Sequence, residues 1–399
     1  MSLMLKEFIP CPIGELQQDG LASKTLIHSY KKQIGRTWNE DGEECVVNRG
    51  WIGIIPELDV MLTPKVPLGN LFRMMEYAYC LPSLSILSGE AEIDSLTDFY
   101  DSLAILLARR ILDRCRKGVY RSYEDRQESL GVVRGRILLP SLFRQPVIDT
   151  LPCLFDEQMA DNEDNQLLRW TLYYLSVAYC KGRRAEKEVC RAERELSGRG
   201  IRLQYYPAAV CQNRHYTRLN VDYRLLHGLC RFFLEHSGPK FAAGNQNMPP
   251  FLLNGARLFE FFVAQWLTAK QEQKKFPFTI KRQFSETVEG VAGSVTYQYD
   301  LLLTDINEPS RVCAVVDTKY KYDKKPGPAD YYQMVAYAHK LSAPLAVLVY
   351  PYKDIEPFDV PENGIRVCSV GIDLNMEDIE AAMDDFMCRL MYLANELPS

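Results

Sequence analysis

The 399-residue sequence predicts an α+β protein with a β-rich N-terminal head, a helical middle region and a C-terminal mixed α/β domain. Short apolar runs broken by proline and glycine precede Leu71, and apolar residues at helical spacing follow it. Beyond Pro250, strand-like and helix-like segments alternate, which is typical of a mixed sheet covered by helices. The composition is that of an ordinary globular chain, with 47% hydrophobic residues, 25% charged residues and a formal net charge of −5.

The first predicted domain, residues 1–155, begins with short strands. Turn residues Asn48–Gly50 precede the strand-like run Trp51–Ile55. A long helix is then predicted from an apolar stripe: Leu96, Phe99, Leu103, Leu107 and Ile111. The strand predicted at Val132–Leu139 contains Arg134-Gly135-Arg136, which could contact a phosphate or a partner, with a plain surface hairpin as an equal alternative.

The middle region, residues 156–248, is predicted to be helical. Asp161 can cap a helix that runs through Tyr179. Two further helices are predicted from apolar stripes: Ala185, Val189, Ala192 and Leu196 in one, and Leu219, Tyr223, Leu226, Cys230 and Phe233 in the other. The stretch Ser237–Pro250 is rich in Gly, Asn and Pro, so it is the predicted linker to the last domain.

The C-terminal domain, residues 249–399, reads as a mixed sheet with helices. A helix near Phe259 is followed by strands, a helix and a further strand, and a C-terminal helix is predicted after Asn375. The predicted segments are strands near Phe278–Phe284, Val295–Leu303 and Val312–Lys319, a helix over Asp330–Leu341 and a strand over Leu345–Tyr350.

Two acidic residues interrupt apolar strands of this domain and point to its chemistry. Asp300 and Asp317 lie on strands joined by a turn-rich segment, which predicts a hairpin. With the turn centred, Asp317 would face Gln298, and Asp300 would be its diagonal neighbour at roughly 7 Å. Lys319 shares the face of Asp317, because side chains alternate along a strand. Two carboxylates and a lysine are therefore expected to converge.

Such a group suits the hydrolysis of a phosphodiester. Carboxylate oxygens favour Mg²⁺ or Mn²⁺, which polarises phosphate and lowers the pKa of a bound water, so Asp300 and Asp317 are the predicted metal ligands. Lys319 could offset charge in the transition state. Taken singly, each of these residues is more often an ordinary surface residue, and the interpretation depends on their joint spacing.

Two neighbouring segments add candidates. Gln333 and Tyr337 are four residues apart and share one face of the predicted helix, where Gln333 could contact nucleic-acid backbone or the lysine. Glu260 lies among aromatic residues, either as a further metal ligand or water-orienting group or as a solvent-facing residue. The predicted catalytic set is thus Asp300, Asp317, Lys319, Glu260 and Gln333.

The order of these residues resembles the PD-(D/E)xK nuclease superfamily, in the branch with a QxxxY helix. Tyr299 stands where the superfamily name has Pro, a variable position. The rest of the chain resembles the McrC family, the nuclease subunit of the methylcytosine-directed McrBC restriction system. The blocks that carry this resemblance are Ile52-Gly53-Ile54-Ile55-Pro56, Pro64-Lys65-Val66-Pro67, Asn70-Leu71-Phe72-Arg73-Met74-Met75, Arg134-Gly135-Arg136, Asp161-Asn162-Glu163-Asp164-Asn165 and Leu258-Phe259-Glu260.

The resemblance implies a nuclease domain of PD-(D/E)xK type, a partner-binding head, and a DNA endonuclease subunit that uses Mg²⁺, with Mn²⁺ as a substitute. It also implies an McrB-like AAA+ GTPase as partner, with double-stranded DNA containing modified cytosine as substrate. GTP would be used by that partner, because this sequence contains no GxxxxGK[ST] phosphate loop.

Two other functions remain open at this point: a non-cutting regulatory adaptor of the NTPase partner, and a stand-alone nuclease of the DNA-repair type. The complete Asp300, Asp317 and Lys319 set disfavours the adaptor, and a motor encoded beside this chain would disfavour the stand-alone nuclease. A cytoplasmic location without membrane contact is expected. No apolar stretch approaches the roughly 20 residues of a spanning helix, and the N-terminus lacks a signal-peptide pattern.

Overall fold

A computed structural model of the protein describes residues 3–15, 30–55, 60–79, 96–142, 149–212, 214–235, 251–290, 293–321, 325–356, 358–362 and 364–395. The predicted linker Ser237–Pro250 lies outside the described residues. None of the helices in the described ranges combines the length with the apolar character that crossing a bilayer requires.

Strands and helices follow one another along the described chain much as an α+β protein requires. The strands are β1 (Leu3–Lys6), β2 (Pro10–Pro12), β3 (Ile34–Trp38), β4 (Glu44–Asn48), β5 (Trp51–Ile55), β6 (Val60–Thr63), β7 (Ser122–Leu130), β8 (Arg136–Ile137), β9 (Leu151–Met159), β10 (Phe251–Asn254), β11 (Phe278–Gly290), β12 (Gly293–Asp305), β13 (Val312–Thr318), β14 (Leu345–Tyr350), β15 (Asp359–Glu362) and β16 (Ile365–Gly371). The helices are α1 (Leu68–Ala78), α2 (Leu96–Lys117), α3 (Leu139–Leu142), α4 (Glu163–Ala178), α5 (Glu186–Gly198), α6 (Tyr223–Glu235), α7 (Gly255–Glu272), α8 (Pro328–Leu341) and α9 (Ile379–Asn395). The predicted α+β class is confirmed.

The chain folds into two compact units that differ from the three predicted segments. The discontinuous unit consists of Met1–Ala91 and Pro250–Ser399, and the inserted unit consists of Glu92–Pro249. The boundary expected between 248 and 249 adjoins the observed junction. The boundary expected between 155 and 156 instead falls inside strand β9, and the first 91 residues belong with the C-terminal part rather than with a separate head.

The centre of the discontinuous unit is a six-stranded mixed sheet in the order β11-β12-β13-β14-β16-β15, counted over the described residues. Strands β13, β14 and β16 run parallel, and the outer pairs are antiparallel. All six residues of Leu345–Tyr350 are buried, as expected of a central parallel strand covered on both faces. The predicted strands and helix of this region are confirmed, whereas β15 and β16 were not predicted.

The N-terminal strands join the same unit through a second sheet. Its order is β1-β6-β5-β10, so Phe251–Asn254 of the C-terminal segment pairs antiparallel with Trp51–Ile55 of the N-terminal segment. Asn70 on α1 adds a link, because its side-chain amide donates to the Leu374 and Met376 carbonyls at 2.8 Å each. These pairings join two segments far apart in sequence, which local sequence patterns do not report.

In the inserted unit, helices accompany the three-stranded sheet β7-β9-β8 of the described residues. The α4 helix is capped by Asn162, whose side chain accepts from the Asn165 backbone N–H at 3.1 Å, so the predicted cap Asp161 is off by one residue. Only Arg136–Ile137 of the predicted strand Val132–Leu139 forms a strand. Gly135 has φ +68°, and a Cβ there would lie 2.4 Å from the Leu154 carbonyl oxygen, so a larger residue would not fit.

Candidate functional site

An open cleft in the discontinuous unit contains the whole predicted catalytic set. Its volume is about 490 Å³. The residues that line it come from α7, β11, β12, β13 and α8, and from the residues next to them: Asn254, Ala256, Arg257, Glu260, Gln283, Gln298, Asp300, Asp317, Thr318, Lys319, Gln333 and Tyr337. Residues spread over some eighty positions of the sequence therefore meet at one place.

The two aspartates face each other on paired strands, but not in the predicted register. Leu301 pairs with Val316, so the next residues along, Asp300 and Asp317, lie directly opposite. The prediction that Asp317 faces Gln298 is therefore wrong. An irregularity between Leu303 and Thr304 shifts the register by one residue, and the loop before it is not centred as assumed. The correction brings the two carboxylates closer together than the diagonal arrangement would.

Lys319 lies beside one of these carboxylates, as its position on the strand predicts. Its Nζ is 2.7 Å from Asp317 Oδ2 and 3.0 Å from the Gln333 side-chain oxygen, to which it donates. The Gln333 amide in turn donates to the Tyr337 hydroxyl at 2.8 Å. The helix spacing of four residues therefore builds a hydrogen-bonded chain from Tyr337 through Gln333 to the ammonium group.

Glu260 reaches the cleft from helix α7, which begins with Asn254 as its N-cap; the Asn254 side chain accepts from the Arg257 N–H at 3.0 Å. Glu260 Oε1 accepts from the Gln283 side-chain amide at 3.2 Å. Gln283 has φ +45° in the middle of β11, a conformation that a residue with a side chain rarely adopts. The ladder between β11 and β12 is paired on both sides of Gln283 and omits it.

The carboxylates of the cleft raise one another's pKa. Burial and the nearby Asp300 raise the pKa of Asp317 to about 6, although the Lys319 ammonium opposes the shift. Burial and Asp300 also raise the pKa of Glu260 to about 7. For Lys319, burial opposes the charged form, but Asp317 and Asp330 outweigh it and the pKa is raised. The cleft therefore has more negative charge than its own cation compensates.

This surplus fits a divalent cation held by two carboxylates. Asp317 Oδ2 is buried and, apart from its ion pair with Lys319, accepts no hydrogen bond from the described residues. Asp300 Oδ2 is already oriented by the Thr318 backbone N–H at 2.8 Å and hydroxyl at 2.9 Å. Over the described ranges, no group of three or more His, Cys, Asp or Glu side chains is placed to hold a metal. Two carboxylates with waters are the ligand set that Mg²⁺ accepts.

Sequence reasoning missed the residues that orient this set. Thr318 was passed over because simple strand alternation places it on the opposite face, yet β13 ends there and its hydroxyl reaches Asp300. Asp330, in the first turn of α8, lies 3.7 Å from Lys319 Nζ and accepts from Lys321 at 3.1 Å. The Lys-x-Lys spacing after Asp317, which places both lysines on one side, was the available signal.

The other basic candidates do not line the cleft. Arg134 belongs to the inserted unit, where its guanidinium stacks 4.0 Å from the centre of the Phe155 ring and pairs with Glu157 at 3.4 Å. Arg136 lies on the short strand β8, exposed to solvent. Arg134 thus has a structural explanation, and both arginines keep the two readings that the sequence left open.

Comparisons with known proteins agree with the predicted family. The model of the family described as "McrBC 5-methylcytosine restriction system component" matches residues 47–351. A solved structure described as a half-complex of Thermococcus gammatolerans McrB AAA+ hexamers with bound McrC has a similar chain, at 18% identity and TM-score 0.57, covering 98% of this chain and 100% of that chain.

A second structure, of the Thermococcus gammatolerans McrBC complex, aligns at 19% identity and TM-score 0.46 over 68% of this chain and 88% of that chain. A search of curated proteins found no match. The likeness to the first structure concerns the fold, and the family model covers more than half of the sequence. The chain belongs to the McrBC 5-methylcytosine restriction system component family, as its resemblance to McrC predicted.

Proposed function

We propose that this restriction-system component is the DNA endonuclease subunit of a modification-dependent complex, and that it hydrolyses phosphodiester bonds with Mg²⁺. One observation carries the proposal. Asp300 and Asp317 lie opposite each other with Lys319 2.7 Å from Asp317, in an open cleft where carboxylate charge is in surplus. A cleft open to solvent also admits a bulky substrate such as a DNA backbone.

Each side chain has a distinct task in this proposal. Asp300 and Asp317 would hold Mg²⁺ or Mn²⁺, which when bound polarises the scissile phosphate and lowers the pKa of a water. The Lys319 ammonium offsets negative charge that develops on the phosphate in the transition state. Gln333 accepts a hydrogen bond from Lys319 and so fixes the direction of the ammonium group. Glu260, held by Gln283, orients water at the edge of the cleft.

We propose further that an McrB-like AAA+ GTPase activates cleavage and selects double-stranded DNA containing modified cytosine. The family assignment and the solved assembly of McrB hexamers with bound McrC support this part of the proposal. The chain has no phosphate loop of its own, so GTP hydrolysis and translocation would belong to the partner. Under this proposal the isolated chain cuts DNA poorly even when Mg²⁺ is present.

The test is cleavage of methylated and unmethylated duplex by the chain co-purified with the motor encoded beside it, in Mg²⁺ and GTP. We expect cutting of methylated DNA by the wild-type complex and none by Asp317→Asn. Asp305→Asn is the matched control, since Asp305 ends the same strand as Asp300 and its side chain only accepts from the Asn307 and Glu308 N–H groups.

Three outcomes would contradict the proposal. Full cleavage by the Asp317→Asn complex would remove the assigned site. Robust cutting of unmodified DNA by the isolated chain would favour the stand-alone nuclease. Stimulation of the partner's GTPase without any cleavage by the wild-type complex would favour the regulatory adaptor.

A further inference from the structure

Another buried carboxylate of the discontinuous unit does not line the cleft and has no task in the proposed reaction. Glu7 follows β1 and is 0% exposed. Its Oε2 accepts from the Lys65 backbone N–H at 3.1 Å and from the Tyr320 hydroxyl at 3.1 Å. The Tyr320 hydroxyl also lies 3.3 Å from Oε1. Burial raises the pKa of Glu7 to about 7, so the group disfavours its charged form at this place.

Tyr320 connects this carboxylate to the strand that carries the proposed catalytic residues. It directly follows Lys319, whose backbone N–H donates to the Val349 carbonyl at 2.8 Å and so extends the ladder beyond β13. The Tyr320 side chain is 6% exposed, and its ring centre is 5.8 Å from that of Phe259 and 6.5 Å from that of Phe8. The hydroxyl is therefore the polar end of an otherwise apolar contact, and Glu7 is its acceptor.

The same pair also contacts the start of helix α7, which carries Glu260. Gly255 opens this helix, and its N–H donates to the Gly50 carbonyl at 2.9 Å. A Cβ at Gly255 would lie 2.7 Å from Tyr320 Cε1 and 3.2 Å from Glu7 Oε1. Only glycine lets the helix begin this close to the pair, so the Glu7–Tyr320 contact bears on two elements of the site.

We propose that Glu7 is a positioning residue for the nuclease site, and that it acts through the Tyr320 hydroxyl to fix the chain that carries Asp317 and Lys319. The inference rests on the proposed nuclease function. A leucine would fill the position without a desolvated carboxylate, whereas Glu7 holds a directional hydrogen bond next to the reacting group. Small displacements of catalytic groups have large effects on rate, so this hydrogen bond should affect turnover more than DNA binding.

The experiment compares single-turnover cleavage of methylated duplex by the full complex with Mg²⁺ and GTP. Tyr320→Phe and Glu7→Met each remove the hydrogen bond, and we expect the rate at saturating DNA to fall about tenfold, with unchanged half-saturation by DNA. Glu7→Gln keeps an acceptor at the Oε2 position and should stay within about twofold of wild type. The double variant Glu7→Met/Tyr320→Phe should be no slower than Glu7→Met alone, because both changes remove one interaction.

Tyr299→Phe is the matched control. Tyr299 precedes Asp300, is 1% exposed, and its hydroxyl is buried with no hydrogen-bond partner among the described residues. It should cleave as wild type does. Should Glu7→Met fail to fold, Tyr320→Phe decides alone, since it removes a single oxygen atom. Normal cleavage by Tyr320→Phe, or an equal loss in Tyr299→Phe, overturns the positioning role.

The proposed function can fail separately. A wild-type complex that does not cut, or an Asp317→Asn complex that does, removes the nuclease assignment and with it this inference. Cutting by wild type, none by Asp317→Asn and full activity in both Glu7→Met and Tyr320→Phe would leave the nuclease assignment intact and refute the role of Glu7.

Discussion

The two compact units bury their ionisable groups in opposite ways. In the inserted unit, Arg214 donates to Glu163 and Asp164 at 2.7 Å each, so the charges of these three residues offset one another. Asp161 accepts from the Arg202 backbone N–H and the Gln166 amide at 2.7 Å each, and these bonds lower its pKa although burial opposes the shift. Charge in this unit is paired and serves stability.

The discontinuous unit leaves carboxylate charge uncompensated. Burial raises the pKa of Glu7, Glu260 and Asp317, and for two of them Asp300 adds to the effect. Folding is opposed by each of these groups at neutral pH, so the arrangement does not serve stability. Strongly perturbed groups in a cleft mark sites of chemistry, whereas satisfied ion pairs mark architecture. The following predictions test this difference, from the largest expected effect to the smallest.

The same substitution in the two units should have opposite effects. Asp317→Asn should reduce cleavage by about 10³-fold or more, while the free energy of unfolding in metal-free buffer holds or rises, because a repelled carboxylate is removed. Asp164→Asn in the inserted unit should lower the free energy of unfolding by about 2 kcal/mol, because Arg214 loses a charged partner. Urea unfolding and single-turnover cleavage measure both. A destabilised Asp317→Asn protein would remove the distinction.

Lys319 should matter for turnover and not for the metal. Lys319→Ala removes a charge that acts in the transition state, so cleavage should fall about 10²- to 10³-fold while Mn²⁺ binding, followed by calorimetry, is retained. The matched control is Lys321→Ala, because Lys321 belongs to the same segment but donates to Asp330 instead. Normal cutting by Lys319→Ala would exclude the residue from the mechanism.

The two units should respond to pH in opposite directions. Burial and the Arg214 guanidinium lower the pKa of His227 to about 4, so the inserted unit should lose stability as pH falls from 6.5 toward 4. The pKa of Glu7 is raised to about 7, so the discontinuous unit should lose stability as pH rises from 4.5 through 7. Each effect amounts to about 3 kcal/mol at most.

Hydrogen exchange resolved by peptide and corrected for intrinsic rates can separate the two responses. His227 Nε2 faces the Asp164 carbonyl at 3.3 Å and Nδ1 faces the Tyr216 hydroxyl at 3.1 Å, which assigns the proton to Nε2. His227→Gln keeps a donor and an acceptor and should flatten the acid response of its own unit alone. Glu7→Gln should do the same for the alkaline response. A change of both units in either variant would contradict separate titration.

The smallest effect is expected along the hydrogen-bonded chain behind Lys319. Gln333→Ala removes the acceptor that directs the ammonium group and should slow cleavage about fivefold, with little effect on stability. Tyr337→Phe removes only the next hydrogen bond and should slow it about twofold. Cleavage rates of the assembled complex measure both, and a larger loss in Tyr337→Phe than in Gln333→Ala would mean that the chain does not act in this order.

Local patterns predicted much of the catalytic sheet. The apolar run Leu345–Tyr350 is observed with the same bounds, and the predicted Asp330–Leu341 helix begins only two residues earlier. Strands β7 and β9 were missed: seven of the nine residues of β7 are exposed, so its sequence lacks the alternation that indicates a strand. Short β15 and β16 were missed as well, although β16 is largely buried.

The sequence by itself determined the residues of the candidate site and the elements that carry them, because alternation along a strand and spacing along a helix are local properties. Only the tertiary structure decided that Asp300 faces Asp317, since a register irregularity beyond their strands' periodicity sets that pairing. It also decided that Glu7 meets Tyr320, 313 residues away. Pairing between distant segments depends on the packing of the whole unit, and no stretch of sequence encodes it alone.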